Sequence, residues 1–410
     1  MAVEPHLDAW LAELSNRGGT DILLTAGSPP FLRVDGRLAP LEGAPVLSGQ
    51  DIEAITRAQL PGRHYQDNLQ IGKELDFSFD WRDEGRVRAN AFYQRGQCSL
   101  SLRYFPVHIP SPEELGLPAA VMKILHSPSG LVLVTGPTGA GKSTSMASMI
   151  DTINRNRRCH IITIEDPIEY LHSNQMAAVS QREVGTDTAS FEGALRSVLR
   201  EDPDVVLVGE MRDLESIAAC LTIAETGHLV IATLHTNDSG QALDRIIDVF
   251  PADRRPQIQV QLAGTLLAVV YQRLVPRRWG GLVAAYEVMV GVPAVRNLIR
   301  EGKTRQLRNI LVTHRSDGMQ TLEWSLNELV TAGTVDYDAA IDASLYPRDI
   351  PKPSVASPVP ASGPGAATRE PMPMATASQV GAAAVPGVGK RTSLTMDGKA
   401  TGSLRPQRRA

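Results

Sequence analysis

The chain has 410 residues, 42% apolar, 21% charged and 5% aromatic, which is enough for two or three packed domains of about 100 to 200 residues each. Its 41 Lys and Arg against 45 Asp and Glu leave a formal charge of -4, which excludes a global electrostatic attraction to nucleic acid or anionic lipid. Cys98, Cys159 and Cys220 lie far apart with no CxxC pair, so they build neither a disulfide framework nor a tetracysteine zinc site. No run approaches the roughly 20 apolar residues of a bilayer span, and Met1 to Pro5 show no leader pattern, so a cytoplasmic protein is expected.

Helices are expected over residues 5 to 16 and 51 to 60. Phe31-Leu32-Arg33-Val34 runs into the hairpin signal Asp35-Gly36, and Leu75, Phe77, Phe79 and Trp81 alternate with polar residues. Arg82 to Gly85 supplies a turn, after which Val87 to Tyr93 and Ser99 to Tyr104 continue as strands around Gly96. These elements predict a small α+β domain over residues 1–105. Pro106 to Pro112 hold three prolines in seven residues and predict a stiff, extended stretch within a proline-rich linker over residues 106–116.

From Leu117 short apolar runs alternate with helical stretches, the pattern of a parallel sheet with helical crossovers. The strand candidates are Leu131 to Val134, His160 to Ile164, Val205 to Val208 and Leu229 to Thr233. After about Gly240 the sequence predicts mainly helix to Tyr346, so an α/β domain is expected over residues 117–350. Residues 351–410 are rich in Pro, Ala, Gly and Ser and hold eight basic against two acidic residues, a composition that predicts a disordered basic tail.

Directly after the first of these strands comes Gly136-Pro137-Thr138-Gly139-Ala140-Gly141-Lys142-Ser143, the G-x-x-x-x-G-K-S/T pattern, and Thr144 to Ile153 reads as the helix that must follow it. The glycines let backbone N–H groups turn onto phosphates, Lys142 meets the β- and γ-phosphates, and Ser143 offers a hydroxyl to Mg2+. ATP and Mg2+ are therefore the expected ligands. Glu210, after Val205 to Gly209, ends a neighbouring strand and could orient or deprotonate the attacking water. Glu165 ends another strand and is a second candidate for the magnesium and water network, with Glu210 as a further carboxylate there. His228 and His235 bracket the strand at Leu229 to Leu234; no third ligand accompanies them at metal spacing, which favours hydrogen-bonding roles beside the nucleotide.

Four segments together carry a resemblance: the loop Gly136 to Thr144, the acidic box Ile164 to Glu169, the stretch Leu199 to Asp213 and the histidine box Gly227 to Thr236. Over about residues 8 to 347 the chain resembles the secretion ATPases of type II/IV systems, and within them the PilT-like twitching-motility ATPases that retract type IV pili. The resemblance implies a RecA-like P-loop domain preceded by a PAS-like α+β domain, assembled as a homohexamer in which the N-terminal domain packs on a neighbouring P-loop domain. It implies that Arg88 and Arg103 approach the γ-phosphate, completing a pocket built on Lys142 and Glu210 of the next subunit. It also implies an inner-membrane pilus platform protein as partner, a related motor ATPase as a further one, and a position at the cytoplasmic face of the membrane. The alternatives within this frame are a pilus-assembly or secretion ATPase and a weakly active regulatory subunit of a retraction motor. A nucleic-acid translocase is disfavoured by the charge and the few aromatics.

Overall fold

A computed structural model describes residues 4–34, 36–60, 63–70 and 72–353. The expected disordered tail falls almost wholly on residues 354–410, outside the described residues, as does Asp35 of the first hairpin signal.

The N-terminal part is an antiparallel sheet of β1 (Asp21–Leu24), β2 (Phe31–Val34), β3 (Arg37–Pro40), β4 (Leu75–Trp81), β5 (Gly85–Gln94) and β6 (Gln97–Pro106), in the order β3-β2-β1-β6-β5-β4. Period-two alternation sets its two faces. Along β5, Val87, Ala89 and Ala91 are buried, while Arg86, Arg88 and Asn90 point the other way. The buried face packs on the helices Pro5–Asn16 and Gly49–Gln59 through Leu7, Leu11, Leu14, Ile52 and Ile55. Each helix starts on a side-chain cap. The Glu4 carboxylate accepts from Leu7 N–H, and Ser48 and Asp51 form a reciprocal capping box. The turn between β5 and β6 is Arg95-Gly96, both at positive φ (52° and 76°), the conformation that matches the twist of the flanking strands.

The second sheet contains β7 (Gly130–Thr135), β8 (His160–Glu165), β9 (Ala178–Glu183), β10 (Val205–Val208), β11 (Leu229–Leu234), β12 (Leu266–Pro276) and β13 (Leu282–Val290), in the order β13-β12-β7-β11-β10-β8-β9. All pairs are parallel except β12 with β13. Leu131, Val132, Leu133 and Val134 are fully buried, and each such side chain contributes about 1.5–3 kcal/mol of hydrophobic stabilisation.

The mainly helical reading after Gly240 is corrected at residues 266–290, which form a long antiparallel hairpin on the phosphate-loop side of the sheet. The apolar run there is a strand because β7 offers it a parallel edge from Leu131 to Thr135. That partner lies more than a hundred residues upstream and leaves no local signature. The strand β9 was also not anticipated; its mixed sequence Ala-Val-Ser-Gln-Arg-Glu suits the sheet edge it occupies. Among the described residues no helix is long and apolar enough to cross a membrane.

Candidate active site

The parallel register brings the sequence motifs to one edge. Thr135 pairs with Leu234, Val208 with Ala232 and Ile164, so the segments following β7, β8, β10 and β11 leave the sheet side by side at its carboxyl end. Ligands of open α/β sheets bind at this edge, where helix N-termini and loops converge. There lie the loop Gly136 to Ser143, Glu165, Glu210 and His235. His228 does not join them. It precedes β11 at the opposite edge, and its Nδ1 lies 3.1 Å from the Ile223 carbonyl oxygen, so the expected contact with nucleotide gives way to a structural one.

Within the loop Gly136, Gly139 and Gly141 have φ of 147°, 78° and 82°, and Pro137, Thr138 and Gly139 are exposed. A Cβ on Gly136 would fall 2.4 Å from the Gln272 carbonyl oxygen of β12. Gln272 also accepts from Ser145 Oγ at 2.8 Å, so β12 forms the wall against which the loop is shaped. Gly136→Ala is therefore expected to weaken ATP binding at least roughly tenfold, because both the conformation and the space are lost. Titration with a fluorescent ATP analogue measures this, and wild-type affinity would show that the loop shape is not needed.

Lys142 begins the helix Lys142–Asn156, and its Nζ donates to the Gly136 and Pro137 carbonyls, both at 2.9 Å, with His235 Nδ1 at 3.4 Å. Burial lowers the Lys142 pKa, opposed by the charges of Glu210 and Glu169. The histidine is lowered by burial and by Lys142, while Glu210 acts in the opposite direction. Glu210 Oε2 lies 2.8 Å from Arg212 Nε in an ion pair, and Oε1 lies 3.5 Å from His235 Nε2. Arg212 had no special claim in the sequence; the structure makes it the cation beside Glu210.

Glu165 stands beside this group because Gly209 N–H donates to Ile164 O at 2.8 Å, and a Cβ on Gly209 would come within 3.3 Å of Glu165 Cα. Thr163 Oγ1 and Gln181 Nε2 donate to Glu165 Oε1 at 2.7 and 3.2 Å. Burial pushes the Glu165 carboxyl up to about 7, against the pull of these two hydrogen bonds. A carboxyl raised in the fold binds protons that the unfolded chain releases, so its contribution is lost as pH rises from about 4.5 through about 7. Glu165→Gln is expected to raise Tm by roughly 3 °C or more at pH 8 and by far less at pH 5. Equal shifts at both values would show that the carboxyl titrates normally.

A third carboxylate was passed over in the sequence although it closes the same acidic box. The Glu169 carboxyl faces the Ser143 side chain; burial raises its pKa, with Ser143, Arg88, Arg103 and Lys142 opposing. The neighbouring Tyr170 hydroxyl lies 3.0 Å from Thr144 Oγ1.

Arg88 and Arg103 are register partners on β5 and β6, on the face away from the N-terminal core. Arg103 Nε lies 2.8 Å from Asp21 Oδ1, and Arg88 Nη2 4.0 Å from Asp76 Oδ1. The charges of both guanidiniums pull the Glu169 carboxyl down against its burial. The N-terminal sheet lies directly on the acidic box of its own chain, through contacts of Arg86 and Ser78 with residues 168 and 183.

Among the described residues no group of three or more His, Cys, Asp and Glu could hold a metal ion by itself. The donor set fits Mg2+ nonetheless, since that ion takes one or two protein oxygens and completes its octahedron with phosphates and water. Ser143 sits at the helix N-terminus with the Glu169 carboxylate close by.

This fold and this edge define a P-loop ATPase of the type II/IV secretion class. The family described as "Type II/IV secretion system protein" matches residues 112–282. The type IV pilus retraction ATPase PilT of Pseudomonas aeruginosa is 43% identical over 339 residues, covering 83% of this chain and 98% of that protein. The type IV pilus ATPase PilU of the same organism is 43% identical over 337 residues, covering 82% and 88%. A crystal structure of the pilus retraction motor PilT with bound ADP superposes with a TM-score of 0.75 at 44% identity, covering 83% of this chain and 98% of that one. The chain belongs to the PilT-like family of type II/IV secretion ATPases.

Proposed function

We propose that this chain is the subunit of a homohexameric motor that hydrolyses ATP with Mg2+ to retract a type IV pilus, acting on an inner-membrane platform protein from the cytoplasmic face. The observation that carries this reading is the convergence of the phosphate loop, Glu165, Glu210 and His235 at one sheet edge, with the arginine-bearing N-terminal sheet packed on the adjoining acidic box. Lys142 and the loop amides would hold the phosphates. Ser143 and the adjacent carboxylates would hold Mg2+, which when bound neutralises charge on the β- and γ-phosphates. Glu210 would take the proton of the attacking water, with Arg212 and His235 fixing its direction.

The domain division proposed is residues 1–105, a linker over 106–116 and residues 117–350, with a tail over 351–410 as a tether. Each hydrolysis event would change the angle between the two folded parts about the linker. Deleting the gene should give hyperpiliated, immobile cells; bald cells would mean an assembly motor instead. The similarity to PilU favours a second reading, a regulatory partner of a related retraction ATPase. In that case purified protein would show little ATPase activity until the related motor is added.

A further inference from the structure

Ile168 lies in the middle of the acidic box, one residue before Glu169, and both of its backbone polar groups are held by a single ion pair. Its N–H donates to Glu183 Oε2 at 3.1 Å, and its carbonyl oxygen accepts from Arg86 Nε at 2.8 Å. Arg86 Nη2 in turn lies 2.9 Å from the same Glu183 oxygen. Ser78 Oγ donates to both oxygens of Glu183 at 3.1 Å and accepts from Arg86 Nη2 at 2.6 Å, while Arg86 Nη1 meets Asp80 at 2.7 Å. The two side chains are only 16% and 8% exposed.

We propose that Arg86 and Glu183 are positioning residues: together they clamp Ile168, set Glu169 against Ser143, and make hydrolysis depend on the seating of the N-terminal sheet. Ser78, Asp80 and Arg86 belong to the N-terminal sheet, whereas Glu183 ends β9 beside Glu165, its register partner on β8. The peptide that Arg86 holds is the one leading into Glu169, so the position of this peptide fixes where the Glu169 carboxylate can reach. On the other side of Glu169, Tyr170 is pinned by Thr144 and by an edge contact with Phe105 of β6 at 6.0 Å between ring centres.

The planar fork of an arginine suits this task because one guanidinium serves a carbonyl, a hydroxyl and two carboxylates at fixed angles. Glu183, once buried, cannot be left without its cation, so the clamp is fully made or fully released. A movement of the N-terminal sheet that withdraws Arg86 would release Ile168 and Glu169 together. The arginine thus links domain position to the phosphate loop from within one chain.

The inference rests on the ATPase reading above, and the test separates the two. In the full-length protein, kcat and KM for ATP, affinity for a fluorescent ADP analogue and thermal melting are measured for wild type, Arg86→Gln, Arg86→Lys and Glu183→Gln. Expected is ADP affinity within about threefold of wild type and kcat lower by roughly 30- to 100-fold at a temperature where all are folded, since a displacement of about 1 Å costs on the order of 100-fold. Arg86→Lys should not restore the rate, because a point charge cannot reproduce the fork. A lowered Tm with kcat within twofold of wild type would reduce the pair to a structural contact and overturn the inference. If these variants do not fold, Ser78→Ala removes only the bridging hydroxyl: a kcat lowered severalfold at near-normal Tm supports the clamp, and an unchanged kcat overturns it. Absence of hydrolysis in the wild type would overturn the functional reading and the inference with it.

Discussion

Replacing Glu210 by glutamine is expected to lower the rate of ATP hydrolysis by roughly 100-fold or more while leaving nucleotide affinity nearly intact. The amide keeps the size of the side chain, but it cannot take a proton from water. The position itself is secure, because Glu210 follows a fully buried strand whose register with β8 and β11 is fixed over four residues on each side. Glu165 is the competing base, and the two assignments differ in their pH dependence. With its carboxyl pushed up to about 7, Glu165 acting as base would make the rate rise through that value. A Glu210→Gln protein that hydrolyses ATP at the wild-type rate, with an inflection near neutral pH removed by Glu165→Gln, would transfer the role to Glu165. Lys142→Ala provides the contrast: it should weaken nucleotide binding, since its ammonium is the buried cation of the phosphate loop.

Removing both Arg88 and Arg103 is expected to cost roughly 1000-fold in kcat, because a guanidinium that stabilises charge on the transferring phosphoryl group is worth that much or more. Two like charges opposite one another across an antiparallel pair repel. Asp21 and Asp76 relieve that repulsion in part, and a phosphate between the guanidiniums would relieve it further. The charges of both arginines are felt at Glu169, and the family resemblance has the pair complete the pocket of the next subunit. Mixed rings of Arg88→Ala/Arg103→Ala subunits with Lys142→Ala subunits should consequently regain partial activity, since some clefts between neighbours are complete. Differently tagged subunits that co-purify establish that mixing has occurred. No recovery in such rings would show that each chain supplies its own arginines.

What was legible in the sequence was whatever is contiguous there. The phosphate loop was plain because strand, glycine loop, lysine and helix follow one another within about two turns of chain, and each step has a local cause: buried apolar residues, positive φ, a helix N-terminus. The strand-end carboxylates Glu165 and Glu210 were legible for the same reason, since an apolar strand announces its own end. The hairpins of the first hundred residues were found through Gly36 and Gly96, whose positive φ is a property of the turn itself. Only the tertiary structure could decide which of these pieces meet. It separated His228 from His235, which sit at opposite ends of one strand and looked alike as a pair. It turned residues 266–290 into the wall of the loop, because a strand needs an edge and the edge was β7. Most of all, it brought Arg86 and Glu183 together across 97 residues, along with Ser78 and Ile168. No local propensity favours that contact. It exists because the N-terminal sheet, fixed by its own hydrophobic face, lays its polar face on the acidic-box loop and the end of β9, and a buried arginine and glutamate must then find partners.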